Sequence, residues 1–177
     1  MRRFITAGAL MTAVALAAAT GAGAAVSPSY QVGGIAFGAP QSSSTSFMGT
    51  AVGSTGDRAN WQANVSRAAL TASAVGSTSA VSGGTFALRS NNGSQLTGNF
   101  TGGSFALTSA APGCGRQTFT LTGNLAASDG SAATLQATLT TFRFQFRGAC
   151  LTLLSTVQGT LTPAAAVPPP GGGSGDL

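Results

Sequence analysis

Apolar and polar positions alternate with a period of two along most of this chain, which is the pattern of half-buried β-strands. The clearest run spans residues 83–109. Phe86 and Leu88 fall on one face of Thr85–Ser90, with Ala87 and Arg89 on the other. In Gln95–Phe100, Leu96, Gly98 and Phe100 share a face, while Gln95, Thr97 and Asn99 look away. Asn92-Gly93 separates the two runs and supplies the positive φ that a tight hairpin turn requires. The motif Gly-Gly-Thr-Phe-Ala-Leu at Gly83 returns 19 residues later as Gly-Gly-Ser-Phe-Ala-Leu at Gly102. Gly102-Gly103 reads as the next reversal. The density of Gly, Thr, Ser and Asn disfavours a helix, and two copies make successive strands of one sheet rather than a solenoid.

The same pattern predicts strands elsewhere. Gln31–Phe37 carries Val32, Ile35 and Phe37, and a loop follows over Gly38–Ser44. Thr45–Val52 sets Phe47, Gly49 and Ala51 against Met48, Thr50 and Val52, with both sides partly apolar, which suits a strand buried on both faces or one at a barrel wall. Gly53–Asp57 forms a turn. Trp61, Ala63 and Val65 alternate in the next strand, and Ala-rich Ser66–Ala74 reads as strand, with one helical turn as the alternative. After a loop over Ala110–Arg116, Gln117–Ala126 places Phe119, Leu121 and Leu125 opposite Thr118, Thr120 and Thr122. Asp129-Gly130 turns the chain into a long strand, Ser131–Arg147. Its apolar parity switches from Leu135, Ala137 and Leu139 to Phe142, Phe144 and Phe146, so a bulge or corner is expected near Thr140-Thr141. Gly148-Ala149 turns again, and Leu151, Leu153 and Val157 alternate up to Leu161. Seven to nine strands with short turns predict an all-β fold. An antiparallel meander closing into a small barrel is favoured over a β-sandwich because closure removes sheet edges.

The two ends change the picture. Met1-Arg2-Arg3, the apolar run Phe4–Ala19 and the small residues Ala22-Gly23-Ala24 read as a signal peptide over 1–24, with a retained anchor as the alternative. The arginine pair lacks the setting of a twin-arginine signal, and no cysteine stands at the cleavage point for lipid attachment. Residues 25–163 form one β domain, and the Pro- and Gly-rich 164–177 reads as a disordered tail. The expected location is therefore outside the cell or in its envelope. Cys114 and Cys150, the only cysteines, are expected to form a disulfide. Because two strands separated by a third lie about 10 Å apart, the Pro112–Gly115 loop must fold over for the bond to close.

Composition excludes most chemistry. The chain has no His, Lys or Glu. After cleavage, six arginines stand against three aspartates, a net +3. Nucleophile–base arrangements that use His or Lys cannot be built, and neither can a good zinc or calcium site. Asp57 and Asp129 adjoin glycines and read as turn residues, so glycosidase-type carboxylate pairing has little to work with. Scattered arginines do not make a nucleic-acid surface. No catalytic residue, metal or cofactor is expected. Asn64, Asn92 and Asn99 match the glycosylation pattern, as chance allows in a Ser/Thr-rich chain.

One constellation remains. In Phe142–Arg147, strand alternation sets Arg143, Gln145 and Arg147 opposite the three phenylalanines, with Arg116 alongside on the neighbouring strand. The simplest reading packs the phenylalanines into the core and leaves the arginines solvated. The functional reading uses two guanidiniums about 13 Å apart to hold an anionic or hydroxylated extracellular polymer. Trp61 and Tyr30 read as core or barrel-end residues rather than sugar platforms. The functional expectation is a secreted, non-enzymatic binding or structural module. A small membrane β-barrel and an enzyme of unusual type are the alternatives.

Overall fold

A computed structural model describes residues 28–38, 42–70 and 74–164 of the chain. The proposed signal peptide, tail residues 165–177 and the loop residues 39–41 lie outside these. Eight antiparallel strands run in sequence order and close into a barrel: β1 (Tyr30–Phe37), β2 (Ser44–Gly53), β3 (Arg58–Arg67), β4 (Thr78–Ser90), β5 (Gln95–Ala110), β6 (Gln117–Ala127), β7 (Ala132–Phe146) and β8 (Ala149–Pro163). The seam pairs β1 with β8, from Tyr30 opposite Leu161 to Ala36 opposite Ser155.

The alternation seen in the sequence sorts residues between an apolar lumen and a polar wall. Phe47, Trp61, Phe86, Phe105, Phe119, Leu121, Leu135 and Leu161 are all buried. Asn60, Gln62 and Asn64 of β3 and Thr120 and Asn124 of β6 face outward. An eight-stranded barrel is just wide enough for side chains to fill it, and here aromatics do so. Phe47 and Phe86 flank Trp61 with centroids 6.3 and 6.4 Å away, and Phe105 stacks on Phe119 at 5.2 Å. β2 is buried on one side only: Phe47 and Ala51 point in, while Met48 and Val52 are exposed.

Two sequence expectations are corrected. Gly102-Gly103 is no reversal, because β5 runs through it for 16 residues. The register with β6 slips between Phe100 and Gly102, and Gly103 has φ +133°. The glycine pair is a bend at a bulge, where the ladder stays intact on either side. Gly83-Gly84 does the same in β4, with Gly84 at φ +128° and a slip against β3 beside it. The repeat therefore encodes a bend followed by an inward Phe and Leu. The second correction concerns Ser66–Ala74. β3 ends at Arg67, and the described part beyond it is loop, with residues 71–73 outside the described set. The Asn92-Gly93 and Asp129-Gly130 turns are present, each closed by the Asx side chain accepting an N–H two residues on, from Ser94 and Ser131.

Strand directions divide the molecule into two ends. The chain enters at Tyr30 and leaves at Pro163 at the same end, which also carries the turns with Asp57 and Asp129. The opposite end carries the β3–β4 and β5–β6 loops and the β7–β8 turn.

Candidate functional site

At that opposite end β7 and β8 outrun their neighbours. β6 first pairs with β7 at Gln117 opposite Thr141, and β1 last pairs with β8 at Ser155. The Thr141 and Ser155 hydroxyls meet at 3.0 Å, buried, and mark the rim of the barrel. Beyond them Phe142–Phe146 and residues 149–154 continue as a two-stranded ribbon with no sheet on either side. The ladder slips between Phe142 and Arg143, so Leu153 is a bulge on β8. The expected bulge thus exists, on the partner strand and just past the predicted position.

Directly paired residues share a face, so Phe142–Leu154 and Phe144–Leu151 form an apolar outer surface with Phe146 at its tip. None of these is core. Phe142, Phe144 and Phe146 are 41%, 42% and 51% exposed, and Leu153 reaches 72%. The simplest reading of the sequence is overturned because a face is buried only where another layer covers it. Here both flanking strands have already stopped.

Arg143, Gln145 and Cys150 occupy the other face. The β5–β6 loop folds over it as the spacing argument required, and Cys114 is bonded to Cys150 with Cα atoms 5.2 Å apart. Arg143 reinforces the staple: its Nε donates to the Gly115 carbonyl at 3.3 Å and its Nη2 to the Gly113 carbonyl at 3.2 Å. The loop itself is closed by the Ala111 N–H on the Arg116 carbonyl, 2.8 Å. A free two-stranded ribbon is marginal in water, so these bonds are what fix it. Arg147 and Gly148 form the turn, both at positive φ (48° and 82°) as a two-residue hairpin loop demands. The turn is one residue earlier than the sequence suggested. The Arg147 guanidinium lies 5.3 Å from the Phe146 ring centroid.

The predicted quartet is therefore divided. Arg143 is half-buried and holds the loop, Gln145 is exposed opposite Cys150, Arg147 caps the tip, and Arg116 is exposed at the ribbon's root. Arg67 belongs to the same end and was missed. It is 3% exposed, with its guanidinium 4.1 Å from the Phe105 centroid, and donates to the Ser42 carbonyl and to Thr45 Oγ1. Burial pushes its pKa below the usual arginine value. Among the described residues no acid lies at this end. Asp57 and Asp129 sit at the other, Asp129 held below the usual carboxylate range by hydrogen bonds from Ser131.

A groove of about 800 Å³ lies over the β1–β4 side, between Met48, Gln62 and Arg89, with Trp61 and Gly49 in its lining. Among the described residues no three His, Cys, Asp or Glu groups come together to hold a metal.

Replacing both cysteines by serine is expected to lower stability by about 3–4 kcal/mol, because the bond closes a loop of 36 residues in the unfolded chain. That corresponds to roughly 10 °C in melting temperature for a domain of this size. Thermal melts of the double variant with and without reductant check this, and equal midpoints for wild type and variant in oxidising buffer would contradict it.

No family model matches this chain, and no curated protein or solved structure is significantly similar to it.

Proposed function

We propose that the protein is a secreted or envelope-associated, non-enzymatic binding module whose working part is the stapled ribbon. The observation that carries this reading is the cost of the arrangement. Six large apolar side chains, Phe142, Phe144, Phe146, Leu151, Leu153 and Leu154, stay exposed on a ribbon held by a disulfide and two arginine hydrogen bonds. Monomeric proteins rarely keep a contiguous apolar surface without a use for it. The disulfide is consistent with an oxidising location outside the cell. The outward faces of β3 and β6 carry Asn, Gln and Thr, which favours this reading over a membrane-spanning pore with an outward apolar band on all strands.

The test is pelleting of labelled protein with washed producing cells, wild type against Phe144→Ser/Leu151→Ser. Both side chains are exposed and paired across the ribbon, so the fold should survive, as circular dichroism will report. At least ten-fold weaker cell association of the variant is expected. Equal association of the two folded proteins, or none for wild type, would defeat the proposal.

A further inference from the structure

We infer that the ribbon docks on an anionic lipid bilayer, entering its interface tip first; this rests on the reading of the ribbon as the binding element. Three features of the tip select lipid. The first is reach. Five residues beyond the rim extend about 16 Å at the rise of a β-strand, more than the roughly 5–10 Å that interfacial segments enter. The apolar groups begin at Phe142 and continue to the tip at Phe146, so the depth entered is apolar on its outer face.

The second is charge. Arg147 stands at the tip, Arg143 on the ribbon's other face and Arg116 at its root, and the described acids are at the far end of the barrel. A cation beside an anionic leaflet contributes on the order of five-fold in binding. Arg147, in the turn, lies over the Phe146 ring, so the leading residues bring a cation to the headgroup layer beside an aromatic face. A second copy of this chain is a poor occupant by the same argument. Tip-to-tip contact would bring two sets of arginines together with no described acid to meet them.

The third is the placement of the chain ends. Tyr30 and Pro163 both lie at the opposite end, so neither terminus of the barrel stands at the tip that would meet the leaflet.

The experiment is co-sedimentation of the oxidised protein with vesicles of phosphatidylcholine, pure or doped with phosphatidylglycerol, at low salt. Binding to the anionic vesicles is expected, on the order of 100-fold stronger than to the neutral ones if all three arginines engage, and weakening with added salt. Phe144→Ser/Leu151→Ser should lose on the order of 100-fold on anionic vesicles with its melting temperature unchanged. Arg116→Ser/Arg147→Ser should keep the fold and shrink the anionic preference to about five-fold. Failure of wild type to sediment with anionic vesicles overturns the inference, as does undiminished binding by the Phe144/Leu151 variant. Cell association that depends on the ribbon, together with no vesicle binding, would overturn the lipid partner and leave the ribbon as a protein- or polymer-binding element. A wild-type dimer that the ribbon substitutions dissociate, again without vesicle binding, would assign the surface to self-association.

Discussion

Gly84→Ala is expected to destabilise the barrel by about 3–5 kcal/mol, while Gly83→Ala, one residue away, changes stability by less than about 1 kcal/mol. The two glycines open the same repeat unit but do different things. Gly84 has φ +128°, and a Cβ there would lie 1.9 Å from the Asn64 carbonyl oxygen of the adjacent strand. Alanine would face both an unfavourable backbone conformation and a collision with main chain that cannot move without opening the β3–β4 ladder. A Cβ on Gly83 meets nothing within 4 Å. The second copy repeats the contrast: Gly103, at φ +133°, would place a Cβ 2.0 Å from the Thr122 carbonyl oxygen, whereas Gly102 has open space. Urea unfolding of the four single alanine variants decides the matter. Equal effects within each pair would mean that the bends are not fixed as described.

Trp61→Ala is expected to cost about 3–5 kcal/mol, the range for emptying a large aromatic site in a packed interior, or roughly 10 °C or more in melting temperature. The indole reaches from β3 past β2 and donates its Nε1 hydrogen to the Gly33 carbonyl of β1 at 3.0 Å, linking strands that are not neighbours. It passes where the inward positions of β1 and β2 are Gly34 and Gly49. The two backbones approach so closely there that a Cβ on Gly49 would lie 2.0 Å from the Gly33 oxygen. Trp61→Phe keeps most of the aromatic contact with Phe47 and Phe86 and loses the hydrogen bond, so about 1–2 kcal/mol is expected. If Phe and Ala cost the same, the stabilisation lies in the hydrogen bond rather than in packing.

The period-two pattern made strand faces legible, and the Asn-Gly and Asp-Gly turns made the β4–β5 and β6–β7 hairpins legible. Phe119, Leu121 and Leu135 were placed on inward faces by parity alone. Parity does not say whether a face is covered. That depends on where the flanking strands stop, which is a matter of register across the barrel, and so parity alone points the phenylalanines of β7 into the core. Gly102-Gly103 failed for a different reason: local glycine density signals a departure from regular strand, and a bulge and a reversal share that signal. Arg67 carried a usable clue. It continues the inward parity of Trp61, Ala63 and Val65, and only the habit of placing charge outside argued against it. The division of the arginines was not legible, because Arg143 binds carbonyls of a loop whose path depends on the disulfide.

The seam between β1 and β8 also sets the order of folding events. The Gln31 and Thr160 side chains that meet across it at 3.2 Å are 129 residues apart, so the ring cannot shut until nearly the whole chain is available. Every other strand pairing is a local hairpin and can form as the chain emerges. Closing such a distant contact is slow relative to hairpin formation. Until it happens β1 and the open side of β8 are unpaired edges, and an open meander is the species most prone to pair with another chain. During that interval the sparse charge of the chain gives little repulsion to keep copies apart.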